Sequence, residues 1–103
     1  MPKRKRLKSV FTKNMDQCYF TGSNVVERHH IFGGANKSFS EKYDFIIPLR
    51  PDIHPNGASF NPPEEYKDVD TRLKDMARAY YIEHIGTEEE FIAETQRIWR
   101  KLF

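Results

Sequence analysis

The chain has 103 residues, of which 38% are hydrophobic and 31% charged, and its formal net charge is +2. A chain of this length forms one small domain with a single modest core, and no apolar run approaches the roughly 18 residues that a membrane-spanning helix needs. The single cysteine, Cys18, excludes an internal disulfide and a zinc site built on paired cysteines.

The N-terminal residues are strongly basic, with Lys3, Arg4, Lys5, Arg6 and Lys8 close together. No apolar region of a signal peptide follows them, so we expect the protein to stay in the cytoplasm. We interpret residues 1–14 as a basic flexible arm and residues 15–103 as a single domain. A basic arm attracts phosphate backbones, but a solubilising tail has the same composition.

The segment after the arm predicts short β-strands. Residues 18–20 and 25–31 are β-rich, and Thr21-Gly22-Ser23-Asn24 between them suits a hairpin turn. Gly33 and Gly34 then require an irregular backbone, which precedes a short helical turn at residues 40–43. Residues 45–49 are the next apolar run and predict a second strand.

The second half of the chain predicts two helices. Apolar residues recur at helical spacing between Val69 and Tyr80, which predicts a first helix, and Gly86 is a natural stop for it. Thr87 and Glu90 form a capping box that opens the next helix. The first stripe consists of Val69, Leu73, Met76, Ala77 and Tyr80, and the second of Phe91, Thr95, Ile98, Trp99 and Leu102. The predicted fold class is therefore α+β, with two C-terminal helices packed on a small β unit.

Three of the four histidines fall in one stretch, His29 and His30 side by side and His54 after the second strand. Neighbouring strand residues point to opposite faces, so the pair can share a site only where the strand twists or ends, and the glycines favour an ending. If residues 45–49 run back beside residues 25–31, His54 returns to the pair. Such imidazoles can hold a metal ion and place a base beside it.

The strings "CYFTG", "ERHHIFGGANKSFSEKY" and "IPLRPDIH" together resemble the phage-encoded branch of the HNH, or ββα-metal (His-Me finger), endonucleases. In those relatives a Cys-x-x-Thr-Gly-like hairpin leads into Glu-x-His-His-Ile-Phe, and a later strand ends in Pro-Leu and a histidine. The resemblance continues through "DTRLKDMARAYYIEHIGTEEEFI" and covers about residues 16–95. It implies a ββα-metal site at about residues 17–56 and a helical part at about residues 64–103.

The resemblance also implies a role for each histidine. His29 becomes a metal ligand, His30 the general base that activates water, and His54 a second ligand. The expected cofactor is a divalent ion, Mg²⁺ or Mn²⁺, with Zn²⁺ as the alternative. The implied activity is hydrolysis of DNA phosphodiesters to a 5'-phosphate and a 3'-hydroxyl, in a bacterial cell that carries the phage or prophage. A phage or host recombination or packaging protein is a candidate partner.

Four basic residues surround the histidines: Arg28, Lys37, Lys42 and Arg50. They are candidates for binding the phosphates of DNA, although ordinary solvated charges would give the same pattern. Phosphate contacts carry no base information, so we expect low sequence preference.

Two positions depart from the family pattern. Where many relatives have an asparagine that orients the base, this chain has Phe45, beside Asp44, and Asn36 is a speculative substitute. Where many have a further histidine, it has Ser59. Either Ser59, Asn61 or Asp52 supplies the missing metal contact, or the site is weakened. A non-catalytic nucleic-acid-binding or protein-binding module and a structural zinc domain therefore remain as alternatives.

Three further residues have simpler interpretations. Glu27 lies on the same strand face as His29, either as a partner of a metal ligand or in a surface ion pair. Cys18 is interpreted as a small buried residue and not as a nucleophile. His84, near a helix end, interacts favourably with the helix dipole.

Overall fold

The computed structural model describes residues 7–95, which form an α+β domain. Its helices and strands follow the order β1 (Glu27–His30), α1 (Lys37–Tyr43), β2 (Ile46–Leu49), α2 (Val69–His84) and α3 (Glu88–Thr95), with 3₁₀ turns at Gly34–Asn36, Pro51–Ile53 and Glu64–Tyr66. The predicted fold class is confirmed at this level. None of the helices in residues 7–95 has the length and apolar character to cross a membrane.

β1 and β2 pair antiparallel, with His29 opposite Ile47 and His30 opposite Ile46. The predicted return of the second strand beside the first is therefore confirmed. Because side chains alternate across a strand, Ile47 and Leu49 point into the main hydrophobic cluster. Ile46 is also fully buried, but it lies on the other face and outside that cluster.

The prediction of a strand at residues 18–20 is wrong, because the backbone there bonds to its own neighbours. The Cys18 N–H donates to the Ser23 carbonyl at 2.8 Å, and the Gly22 N–H donates back to the Cys18 carbonyl at 2.9 Å. Gly22 has φ +76, in the region that favours glycine. One bond, from the Tyr19 N–H to the Pro48 carbonyl at 2.9 Å, joins this loop to β2.

The helices lie close to their predicted positions. α1 begins three residues earlier than expected and ends at Tyr43, and the C-cap residue Asp44 has a left-handed φ of 58. α2 buries Val69, Leu73 and Ala77 as predicted, and it also buries Tyr81, which the predicted stripe omits in favour of Tyr80.

The predicted capping box at the start of α3 is present. The Glu90 N–H donates to Thr87 Oγ1 at 3.1 Å, and the Thr87 N–H donates to Glu90 Oε1 at 3.0 Å. Phe91 and Thr95 are buried. The rest of the predicted stripe, Ile98, Trp99 and Leu102, lies outside the described residues.

Phe45 is at the centre of an aromatic core. It is fully buried, and its ring lies within 6.3 Å of five other aromatic rings, those of Phe11, Phe32, Phe39, Tyr43 and Tyr80. Phe11 belongs to the segment that the sequence assigns to the flexible arm. Its packing on Phe45 and Tyr80 shows that part of this segment lies against the domain. Residues 1–6 of the predicted arm lie outside the described residues.

One carboxylate, Glu94, connects all three helices. It accepts hydrogen bonds from the Tyr81 hydroxyl at 2.6 Å and the Tyr43 hydroxyl at 2.9 Å, and it pairs with Lys42 at 3.2 Å. Burial alone would raise the pKa of Glu94, but the Tyr81, Tyr43 and Lys42 hydrogen bonds lower it below its ordinary value. The Asn36 side-chain amide adds a bond to the Thr95 carbonyl at 2.6 Å. These contacts fix α1 against α3.

Candidate metal and catalytic site

His29 lies on the buried face of β1. Its exposed fraction is 7%, and its Nε2 is shielded from solvent without a hydrogen-bond partner among the described residues. A buried polar atom normally has a partner, because losing water without replacement costs free energy. The His29 Nε2 is therefore suited to a ligand that residues 7–95 do not supply.

His54 lies close to His29 and is positioned by the turn that follows the C-terminal end of β2. Pro51 opens the 3₁₀ turn Pro51–Ile53 immediately after the strand, and His54 follows that turn. The rings of His29 and His54 have centroids 5.0 Å apart and an interplanar angle of 68°. The antiparallel return of β2 thus brings together the two histidines that the resemblance names as metal ligands.

Glu27 holds the ring of His54. Its Oε1 lies 2.6 Å from His54 Nδ1, and it shares the His29 face of β1, two residues earlier. A carboxylate on one imidazole nitrogen fixes the ring and its tautomer, and it leaves Nε2 free to bind a metal ion. The spacing of Glu27 from His29 is the sequence signal for this contact, but the pairing with His54 is visible only in the fold.

The environment of His29 keeps its imidazole neutral. The pKa of His29 is lowered from 6.5 to about 4, mainly by burial and next by the nearby His54. Asp70 raises the pKa and Lys74 lowers it, both from the first turns of α2. A neutral imidazole has the free electron pair that metal binding needs.

His30 is the last residue of β1 and lies on the opposite face from His29. About 16% of its side chain is exposed. Its Nε2 is shielded and has no hydrogen-bond partner among the described residues, so the exposed part of the ring belongs to its other atoms. The carboxylate nearest to this nitrogen is that of Glu41 in α1, with Oε2 at 3.4 Å.

Neither the residue at the family's asparagine position, Phe45, nor the speculative substitute Asn36 makes a side-chain hydrogen bond to His30 in this structure. Phe45 is fully buried in the aromatic core. Asn36 does not orient His30, because its amide donates to the Thr95 carbonyl. Glu41, which the sequence interpretation did not single out, is the polar residue that faces His30.

The described residues show no side chain that would serve as a third metal ligand beside His29 and His54. Among residues 7–95, no group of three or more His, Cys, Asp or Glu side chains is arranged to hold a metal ion. The Asp52 carboxylate is engaged by Arg50, with Nε–Oδ1 at 2.5 Å and Nη2–Oδ2 at 2.9 Å. Ser59 and Asn61 are exposed. The geometry therefore brings together two imidazoles, those of His29 and His54.

The four candidate phosphate-binding residues differ in their surroundings. Arg50 is held by Asp52, and Lys42 pairs with Glu94 at 3.2 Å. Arg28 lies 3.7 Å from the largely exposed Asp16. Lys37 is exposed at the start of α1 and has no ion pair within the described part of the chain. Arg28 and Lys37 are therefore more available to a phosphate than Lys42 and Arg50.

The low pKa of His29 predicts acid sensitivity of the metal-free protein. The unfolded chain takes up a proton on this residue as the pH falls below 6.5, whereas the folded state resists it down to about 4. The free energy of unfolding should therefore fall across this window, by up to roughly 3 kcal/mol. Urea unfolding in a chelator should show this loss for the wild type and a smaller one for His29→Leu. Parallel pH profiles for the two proteins would contradict the prediction.

Comparison of the chain with protein-family models, with curated proteins and with solved structures finds no match. The functional interpretation therefore depends on the site chemistry described above and on the resemblance of the motifs.

Proposed function

We propose that the chain is a metal-dependent DNA endonuclease of the HNH, ββα-metal type, with low sequence preference. The observation that carries the proposal is the approach of His54 to His29, with His30 at the end of the same strand. The motif strings support a phage or prophage origin, and hence action on DNA in the cytoplasm of a bacterial cell.

In this proposal His29 and His54 would hold the metal ion. The unpartnered Nε2 of His29 and the Glu27 bond to His54 Nδ1 support this assignment. When bound, the cation would stabilise the negative charge that develops on the phosphate and on the leaving oxygen. With two protein ligands, water and substrate oxygens would complete its coordination, which suits Mg²⁺ or Mn²⁺ better than tightly bound Zn²⁺.

His30 would act as the general base. A neutral imidazole with one free nitrogen can remove a proton from a water molecule near neutral pH. Because the Nε2 edge is shielded and faces Glu41, the Nδ1 edge is the one assigned to the attacking water.

Glu41 would position His30 in place of the missing asparagine. A proton on Nε2 that points at the Glu41 carboxylate fixes the tautomer in which Nδ1 has the free electron pair. The separation of 3.4 Å is longer than a hydrogen bond. Catalytic hydrogen bonds are often long before substrate binds and tighten in the complex.

A second candidate function is a non-catalytic nucleic-acid-binding module that retains the nuclease shape. The observations that favour it are Phe45 in the core at the asparagine position and the presence of two imidazole ligands without a third protein ligand in residues 7–95. A structural zinc domain has less support, since such sites have four protein ligands, whereas residues 7–95 bring together two histidines and show no larger ligand group.

Plasmid nicking tests the proposal directly. With Mg²⁺ or Mn²⁺, the wild type should convert supercoiled plasmid to the nicked form. His30→Ala should slow this reaction by about 10² to 10⁴-fold, since it removes the base, while Mn²⁺ binding measured by calorimetry persists. His54→Ala should weaken Mn²⁺ binding itself. A protein that shifts DNA in a gel but does not nick it with either metal would support the binding module instead.

The role of Glu41 predicts a difference between two substitutions. Glu41→Gln keeps an acceptor oxygen and should retain most of the activity, whereas Glu41→Ala should lower kcat with little change in KM, because it affects His30 and not DNA binding. Steady-state cleavage of a labelled duplex separates the two constants. Equal losses in both variants, or a change confined to KM, would exclude the positioning role.

Gly57 provides an independent test of the Glu27–His54 contact. A Cβ at this position would lie 2.9 Å from His54 Nδ1 and 3.2 Å from Glu27 Oε1, so Gly57→Ala should displace the ring. We expect weaker Mn²⁺ binding and slower nicking. Gly33→Ala is the matched control, because a Cβ there meets nothing within 4 Å. Similar behaviour of the two variants would argue against a role for His54 in metal binding.

A further inference from the structure

A groove of about 730 Å³ lies between the N-terminal segment and β1. Residues 7, 8 and 13–16 line it together with Arg28 from β1. Its charged groups are Lys8, Lys13, Arg28 and Asp16, so positive charge predominates. Its volume falls in the range of about 300 to 1,000 Å³ that is typical of ligand sites.

The cations of the groove are loosely held. Lys8 lies 3.9 Å from Asp44 and is 69% exposed. Arg28 lies 3.7 Å from Asp16, whose side chain is 91% exposed. Exposed ion pairs at such distances contribute little to stability. An incoming anion can therefore replace these carboxylates as the partner of Lys8 and Arg28.

The position of Arg28 relates the groove to the candidate site. Arg28 and His30 are two residues apart in β1 and so lie on the same face of the strand, about 7 Å apart along it. The groove thus opens on the face that carries the proposed base.

We propose that this groove binds the phosphodiester backbone of DNA and leads it to His30. DNA carries closely spaced phosphates, so several separate cations of the groove can each contact one. Each contact favours binding, because it releases a condensed counterion. Arg28 lines this groove, whereas Lys42 and Arg50 are engaged by Glu94 and Asp52. The connection to cleavage rests on the proposed nuclease function, but binding can be measured without it.

The test uses the full-length His30→Ala protein in a chelator, so that no cleavage occurs. Fluorescence anisotropy gives the affinity for a labelled duplex at several KCl concentrations. Combining Lys8→Ala, Lys13→Ala and Arg28→Ala should reduce the slope of log K against log [salt] by about 3, about 1 for each lost cation. Lys67→Ala is the control and should leave the slope unchanged. Lys67 is about as exposed as Lys8, but it lies outside the groove, where it pairs with Glu64.

A charge change of the opposite sign guards against a folding artefact. Asp16→Asn removes the carboxylate of the groove and should tighten DNA binding several-fold at low salt. An unchanged salt slope in the triple variant, or no effect of Asp16→Asn, would overturn the proposal, as would absence of DNA binding. If DNA binding depends on the groove residues but the wild type does not nick plasmid, the groove proposal stands and the nuclease function is excluded. If the wild type nicks plasmid and substitution of the groove residues changes neither nicking nor DNA binding, the nuclease function stands and the groove proposal is excluded.

Discussion

The antiparallel register of β1 and β2 is the constraint on which the candidate site depends. His29 stands opposite Ile47 and His30 opposite Ile46. The His29 imidazole therefore lies on the face of β1 that packs on the main core, and the partly exposed His30 lies on the other face. A slip of one residue would exchange the two faces and place His30 in the core. The core specifies this register, because Ile47 and Leu49 must face the main hydrophobic cluster. The geometry of the histidines is therefore a consequence of apolar packing.

The parts of the fold that could be predicted from the sequence are those governed by local rules. The return of β2, the capping box of Thr87 and Glu90, and the extent of α2 follow from patterning and cap chemistry. The approach of His54 to His29 followed from the strand return. By contrast, a three-residue run is too short to show periodicity, which explains the wrong strand at residues 18–20. Tyr80 and Tyr81 both suit the apolar stripe of α2, so spacing alone does not choose between them.

The polar contacts between elements could not be predicted, because they depend on how the elements cross. Glu41 contacts His30 only after α1 has packed beside β1, and Glu94 contacts Tyr43 and Tyr81 only after the three helices have packed together. Glu27 had a signal in its spacing from His29, but its partner is in a distant segment. The same distinction applies to the cations. Arg28, Lys42 and Arg50 are equivalent in the sequence, and only their neighbouring carboxylates separate them.

The Glu94 carboxylate has a consequence for the rigidity of α1. Lys42 and Tyr43 are anchored to Glu94, while Glu41, the preceding residue, points about 100° away around the helix. One short helix thus connects the C-terminal region to the surroundings of His30. A rotation of α1 that moved Glu41 away from the ring would also break two contacts to α3. The orientation of the proposed base would in this way depend on Glu94, a carboxylate that contacts a different side of the same helix.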